Sequence, residues 1–198
     1  MMETIHLVEF DGKTIETTVT SQSSTAQRWL QNIVKLLNQH RTKRIVGMDC
    51  KYIRHPINSM SNKTAILNLC VGTKCLVLHL LHMNHIPQSI RDFLSDPRNT
   101  FVGIEILENS RKLHKEYALN VERKFDLHFL AKHWFPASYN GRSSLRAIAS
   151  RVIGLNARRK CGDNNEGNWE SVVLTEELVE QACADAYAFY NIACKLLS

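Results

Sequence analysis

The hydrophobic pattern of this chain changes period several times between its two ends. Ile5, Leu7 and Val8 precede Asp11-Gly12, and Ile15, Thr17 and Val19 alternate after it. Alternation on both sides of an Asp-Gly turn predicts a β-hairpin. Ser24-Thr25 then reads as the N-cap of a helix carrying Trp29, Leu30, Ile33, Val34 and Leu37 at helical spacing. The middle of the chain predicts strands at residues 44–49, 65–71 and 75–80, the last two joined by the three-residue connection Gly72-Thr73-Lys74. A short helix over Ser89–Leu94 stops at Asp96-Pro97, and a further strand is expected over Phe101–Ile106. A helix through Arg111, Leu113 and Tyr117 follows. Leu145, Ile148, Ala149 and Val152 form an apolar stripe closed by Gly154, and a polar loop at 163–168 leads to Trp169. Thr175-Glu176-Glu177 caps a last helix reaching Leu197. Strands followed by a helix–strand–helix series imply an α/β domain with a mixed sheet. No repeat or long linker divides it, so residues 1–198 are expected to form one domain, with the hairpin and helix of residues 1–40 packed on it.

Composition narrows this picture only modestly. At 198 residues, 44% hydrophobic and 22% charged, the chain has the makeup of a water-soluble globular protein. No apolar run approaches the roughly 20 residues of a membrane span, so no membrane partner is expected. The first residues lack the basic start and apolar stretch of a signal peptide, which predicts a cytoplasmic or nuclear location. The six cysteines show no C-x-x-C pair and no zinc-ribbon spacing. Four lie in apolar runs, where a reduced thiol behaves as a small hydrophobe. The net charge of +6 suits a polyanionic partner. The basic runs Arg41-Thr42-Lys43-Arg44 and Arg158-Arg159-Lys160 read first as solvated loops.

No glycine-rich phosphate loop is present, and no elbow surrounds a serine or cysteine nucleophile. His79, His82 and His85 recur every three residues on a predicted strand and its exit, where that spacing does not share a face. Trp29 and Leu30 read as core. Tyr52 and Arg54 are candidates to stack on and hold a nucleic-acid strand, with a surface loop as the equal alternative.

Ordered motifs say more. An apolar strand ends in Asp (Val46-Gly47-Met48-Asp49), then come Ala65–Gly72, Ile86-Pro87-Gln88-Ser89 and Phe93–Pro97. Phe101-Val102-Gly103-Ile104, Arg111-Lys112-Leu113, Ser144–Ala149 and Ala182–Tyr187 follow in order. In this order the segments resemble the DEDD 3′–5′ exonucleases, in particular the Werner-type branch and its plant relatives, the RISC-interacting clearing exoribonucleases. The resemblance covers about residues 40–198. It implies an RNase H-like fold, with a mixed five-stranded sheet flanked by helices and preceded by the N-terminal hairpin and helix. It also implies 3′–5′ hydrolysis of single-stranded nucleic acid, RNA in preference to DNA, with Mg²⁺ or Mn²⁺ held by four carboxylates.

Carried onto this sequence, the four-acid pattern is half present. Asp49 and Asp185 stand at the first and last positions, as metal ligands and catalytic groups. Lys51 replaces the Glu two residues after the first Asp, Asn109 replaces the second-motif Asp, and Gln181 replaces a water-orienting tyrosine. Gln181 could orient water by hydrogen bonding, although it has no phenolic proton. Lys51 and Asn109 become candidates for contacting substrate, with Lys51 on a phosphate oxygen. Glu105 and Glu108 are candidate substitute acids; the alternative makes them an outward-facing residue and a helix N-terminal charge. The resemblance further implies a homo-oligomer, with a closed ring as one form, whose interface near the Asp49 cleft supplies missing side chains. Small-RNA machinery is a partner by the same resemblance. A catalytically degenerate, nucleic-acid-binding or scaffolding homologue is the alternative reading.

Overall fold

The computed structural model describes residues 3–39, 43–53, 62–134, 147–148, 152, 154 and 167–197. The expected features at Arg41-Thr42, Arg54, Leu145, Ala149, Arg158-Arg159-Lys160, Cys161 and residues 163–166 lie outside these. Seven strands among the described residues form one mixed sheet: β1 (Thr4–Phe10), β2 (Lys13–Thr20), β3 (Arg44–Ile53), β4 (Lys63–Val71), β5 (Lys74–Leu78), β6 (Asn99–Gly103) and β7 (Lys124–Asp126). Their order across the sheet is β1-β2-β5-β4-β3-β6-β7. The helices are α1 (Ser23–Gln39), α2 (Gln88–Ser95), α3 (Ile106–Tyr117), α4 (Leu127–Trp134) and α5 (Glu176–Leu197), with a 3₁₀ turn at Leu80–His82.

The five-stranded part β5-β4-β3-β6-β7 is the RNase H-like core: β3 pairs antiparallel with β4 and parallel with β6. The N-terminal hairpin continues this sheet, because β2 lies parallel to β5. Sequence pattern alone treats the hairpin as an appendage; long-range pairing makes it part of the sheet. Its turn is as expected, with Asp11 and Gly12 both at positive φ, 51° and 70°.

Strands in the middle of the sheet have both faces covered, so they read as continuous apolar runs. One face carries α4 and α5, with Ile66, Cys70, Val77, Ala182, Ala186 and Phe189 in its core. The other carries α1, α2 and α3, with Met48, Leu67, Leu76, Ile33, Phe93 and Leu113 in its core. The five alanines of α5 and Cys183 are all buried, and their small side chains let this helix lie close on the sheet.

Five local expectations need correction. Strand β3, expected over residues 44–49, runs on to Ile53 and so includes Lys51. Helix α1 begins at Ser23, so Ser24-Thr25 occupies its first turn, and the Thr25 hydroxyl donates to Glu3 Oε2 at 3.2 Å. The β4–β5 connection has two residues, since Val71 pairs with Lys74. Strand β5 ends at Leu78, where the chain turns into the 3₁₀ turn. Strand β6 stops at Gly103: Glu105 adopts a left-handed conformation (φ 54°), and α3 starts at Ile106, whose N–H is capped by Asp126 Oδ2 at 3.2 Å. That cap lies 20 residues away and leaves no local signature.

Candidate active site

Residues 47, 49 and 51 of β3 share one face by strand alternation, and that face meets α5. Gly47 makes the contact close. A Cβ there would lie 2.8 Å from Tyr190 N and closer still to Ala186 O. With α5 seated this way, Asp185 comes next to Asp49 and Lys51.

The Lys51 ammonium sits between the two acids. Its Nζ lies 2.5 Å from Asp185 Oδ2 and 2.9 Å from Asp49 Oδ2. All three side chains are buried, with 4% of Asp185, 5% of Lys51 and 9% of Asp49 exposed. Burial on its own would lower the Lys51 pKa, but Asp49 and then Asp185 outweigh it and hold the ammonium well above the ordinary lysine value. The group is therefore a charged triad, −1 in sum.

Three further residues complete its surroundings. Asn68, opposite Asp49 in the β3–β4 register, donates from Nδ2 to Asp49 Oδ2 at 3.5 Å. The Trp169 ring centroid lies 5.7 Å from Lys51 Nζ, within cation–π range. His79 fixes Trp169 in turn, its Nε2 lying 3.1 Å from the Trp169 carbonyl. His82 meets the next carbonyl, Glu170 O, at 2.8 Å, and the two imidazoles stand edge to face with centroids 4.4 Å apart. Burial lowers the His79 pKa to about 4. Sequence reasoning missed Asn68 and Trp169 as neighbours of the triad. Asn68 had a signal, a lone amide within the apolar run of a central strand; Trp169 had none beyond its size.

The other singled-out residues are placed as follows. Gln181 is half-buried on α5, one turn before Asp185. Asn109 is buried on α3, its Oδ1 accepting from the Tyr52 hydroxyl and its Nδ2 donating to Ile104 O at 3.4 Å. These bonds use one acceptor and one donor position of the amide, which has two of each. Tyr52, a candidate stacking residue with a surface loop as the equal alternative, lies on β3, donates its hydroxyl to Asn109 and has its ring 4.4 Å from the Lys112 ammonium. A register shift between Lys51 and Tyr52 marks where β3 bends beyond the triad. Glu105 and Glu108 are exposed, and Glu108 pairs with Arg111 at 3.3 Å.

Do these residues fit a divalent ion? Among the described residues no group of three or more His, Cys, Asp and Glu side chains converges as a metal site. The substitute acids do not join Asp49 and Asp185. One oxygen of each aspartate, Oδ2, is bonded to the Lys51 ammonium, which stands where an ion between the two carboxylates would sit. The donor set as it stands does not fit a metal.

Comparison with known proteins places this site in context. The profile of a 3′–5′ exonuclease family matches residues 20–198. The chain belongs to this 3′–5′ exonuclease family. Exonuclease 3′-5′ domain-containing protein 2 of Drosophila melanogaster is 29% identical over 189 residues, covering 91% of this chain and 30% of the relative. A 3′-5′ exonuclease of Arabidopsis thaliana is 28% identical over 169 residues, covering 81% of this chain and 56% of the relative. The exonuclease-family chain thus spans less than two thirds of either relative's length. Among solved structures, Escherichia coli RNase D, an exoribonuclease involved in structured RNA processing, superposes with a TM-score of 0.74 at 14% identity, covering 90% of this chain and 44% of that one. The EXD2 exonuclease domain soaked in Mn and GMP gives 0.54 at 22% identity, covering 91% and 89%. These two likenesses concern the fold, which is RNase H-like in this family member too. No described helix is long and apolar enough to cross a membrane.

Proposed function

We propose that this 3′–5′ exonuclease-family domain binds single-stranded nucleic acid, RNA in preference to DNA, without hydrolysing it. The observation that carries this reading is the Lys51 ammonium bonded to both surviving carboxylates. A divalent ion about 4 Å from that ammonium would meet a repulsion of roughly 8 kcal/mol at an effective dielectric near 20, twice the unit-charge value. An ion bound here would first have to expel a buried, charge-paired lysine. Metal-assisted attack on a phosphodiester, the chemistry that Mg²⁺ or Mn²⁺ supplies on four-acid sites, is thereby disfavoured. The net charge of +6 supports retention of a polyanionic ligand.

The second reading is metal-assisted 3′–5′ hydrolysis by the same domain. It is favoured by one observation: Asp49 and Asp185, far apart in the chain, are brought to a single nitrogen. One experiment separates the two. End-labelled single-stranded RNA and DNA are incubated with the purified chain in Mg²⁺ or Mn²⁺, beside Asp49→Ala, and binding is followed in parallel by fluorescence anisotropy. The expected result is bound, intact RNA, with affinity unchanged by EDTA. A ladder of shortened products that disappears in Asp49→Ala would establish hydrolysis instead.

A further inference from the structure

Strand β1 is the outermost strand of the sheet. Among the described residues nothing pairs with it beyond β2. Edge strands in soluble proteins are commonly blunted by lysine, proline, a bulge or a covering element. The segment Thr4-Ile5-His6-Leu7-Val8-Glu9-Phe10 has neither lysine nor proline, and its register with β2 runs unbroken over seven pairs. Ile5 is 59% exposed and Leu7 70%.

The hairpin geometry fixes which backbone groups are free. Phe10 and Lys13 flank the two-residue turn and form its closing hydrogen-bonded pair. Alternation then directs the N–H and C=O of Phe10, Val8, His6 and Thr4 toward β2. Those of Glu9, Leu7 and Ile5 point away from the sheet. The residues with free backbone groups therefore include the two with exposed apolar side chains.

We infer that β1 is a self-association edge, pairing antiparallel with β1 of a second copy about a two-fold axis through Leu7. In this register Leu7 faces Leu7 of the other copy, and Ile5 faces Glu9 in both directions. All three outward residues form hydrogen-bonded pairs. The four apolar side chains make one strip across the axis, with a glutamate at each end. Sliding by one hydrogen-bonded step sets Glu9 against Glu3 or loses a pair to Asp11, both unfavourable for like charges or for pairing. The segment is thus complementary to itself in one register, which favours a second copy over an unrelated strand. The two-fold arrangement is isologous and closes without further growth. It lies at the sheet edge beyond β5 and β2, away from the β3–α5 triad.

The test is sedimentation and light scattering of the full chain, with Leu7→Lys alongside. Wild type is expected at about twice 22.7 kDa and Leu7→Lys at 22.7 kDa, with identical circular dichroism. Leu7→Cys treated with a short bifunctional thiol reagent should give a covalent dimer that untreated and wild-type controls lack. Ile5→Cys should not, because the two copies of residue 5 lie roughly 14 Å apart along the paired strands. A wild type that is monomeric at every concentration, a Leu7→Lys protein of unchanged mass, or equal cross-linking from positions 5 and 7 would overturn the inference.

Discussion

Gly47 of β3 lies against the Ala186 carbonyl of α5 with no room for a side chain, and this contact sets the position of Asp185 over β3. A methyl group at Gly47 would collide with backbone on both Ala186 and Tyr190, which cannot rotate away as a flexible side chain would. Gly47→Ala is therefore expected to lower stability by about 3 kcal/mol or more, the upper range for overpacking a close contact. Urea denaturation would read the change as a shifted midpoint. A stability equal to wild type would mean that α5 can slide on the sheet, and that the triad distances are not fixed by this contact.

Lys51 is expected to be the costliest member of the triad to remove. Lys51→Met keeps the length of the side chain but leaves Asp49 and Asp185 buried and adjacent with no cation. Breaking a buried ion pair by removing one partner typically costs about 3–5 kcal/mol. Thermal or chemical denaturation of Lys51→Met against wild type at neutral pH checks this, and a difference below about 1 kcal/mol would show that water already reaches the pair.

The triad illustrates how much of this protein can be read before folding. The expected strand stops at Asp49; alternation puts Lys51 on the face of Asp49 only because β3 continues to Ile53. That the pair meets Asp185 rests on the order of motifs, because no local pattern links residues 51 and 185. What stayed hidden depends on tertiary pairing. The hairpin's own alternation is legible, but its parallel junction with β5 is not. Asp126 capping α3 is invisible for the same reason, which is why strand alternation alone carries β6 too far. His79 and His82 would lie on different faces had the strand continued; the 3₁₀ turn after Leu78 brings their rings together.

His79 should make stability fall with acid in a defined window. Its ring is buried and neutral, with the folded pKa lowered by burial to about 4, against an unfolded value of about 6.5. The unfolded chain therefore binds the proton first. Stability is unaffected by this group above about pH 6.5, declines between about 6.5 and 4, and levels off below. The expected contribution is roughly 3 kcal/mol across that window. His79→Gln, which can still donate to the Trp169 carbonyl, should lose this segment of the pH dependence while keeping that of the carboxylates. Superimposable wild-type and His79→Gln stability profiles from about pH 7 to 4 would show that the ring is solvated when protonated.

Restoring acids at the two altered positions tests whether the scaffold still supports a metal. In Lys51→Glu/Asn109→Asp the ammonium is gone, and two carboxylates are added at the positions the family pattern assigns to acids. The local charge around Asp49 and Asp185 changes from −1 to −3 through position 51. Mutual repulsion of buried carboxylates should destabilise the ion-free double mutant, and a divalent cation should reverse that loss by binding the folded state. Calorimetric titration of Mn²⁺ is expected to give measurable heat with the double mutant and none with wild type, with a matching rise in melting temperature only for the mutant. Tyr52 decides how far the second substitution helps, since its hydroxyl donates to Asn109 Oδ1 and can hold an aspartate in the same place. If Lys51→Glu alone binds as tightly as the double mutant, the new carboxylate at position 109 stays turned toward Tyr52 and the metal is held from β3 and α5. Equal, weak binding by wild type and double mutant would place the loss of the metal site in the backbone arrangement of β3 and α5 rather than in two side chains.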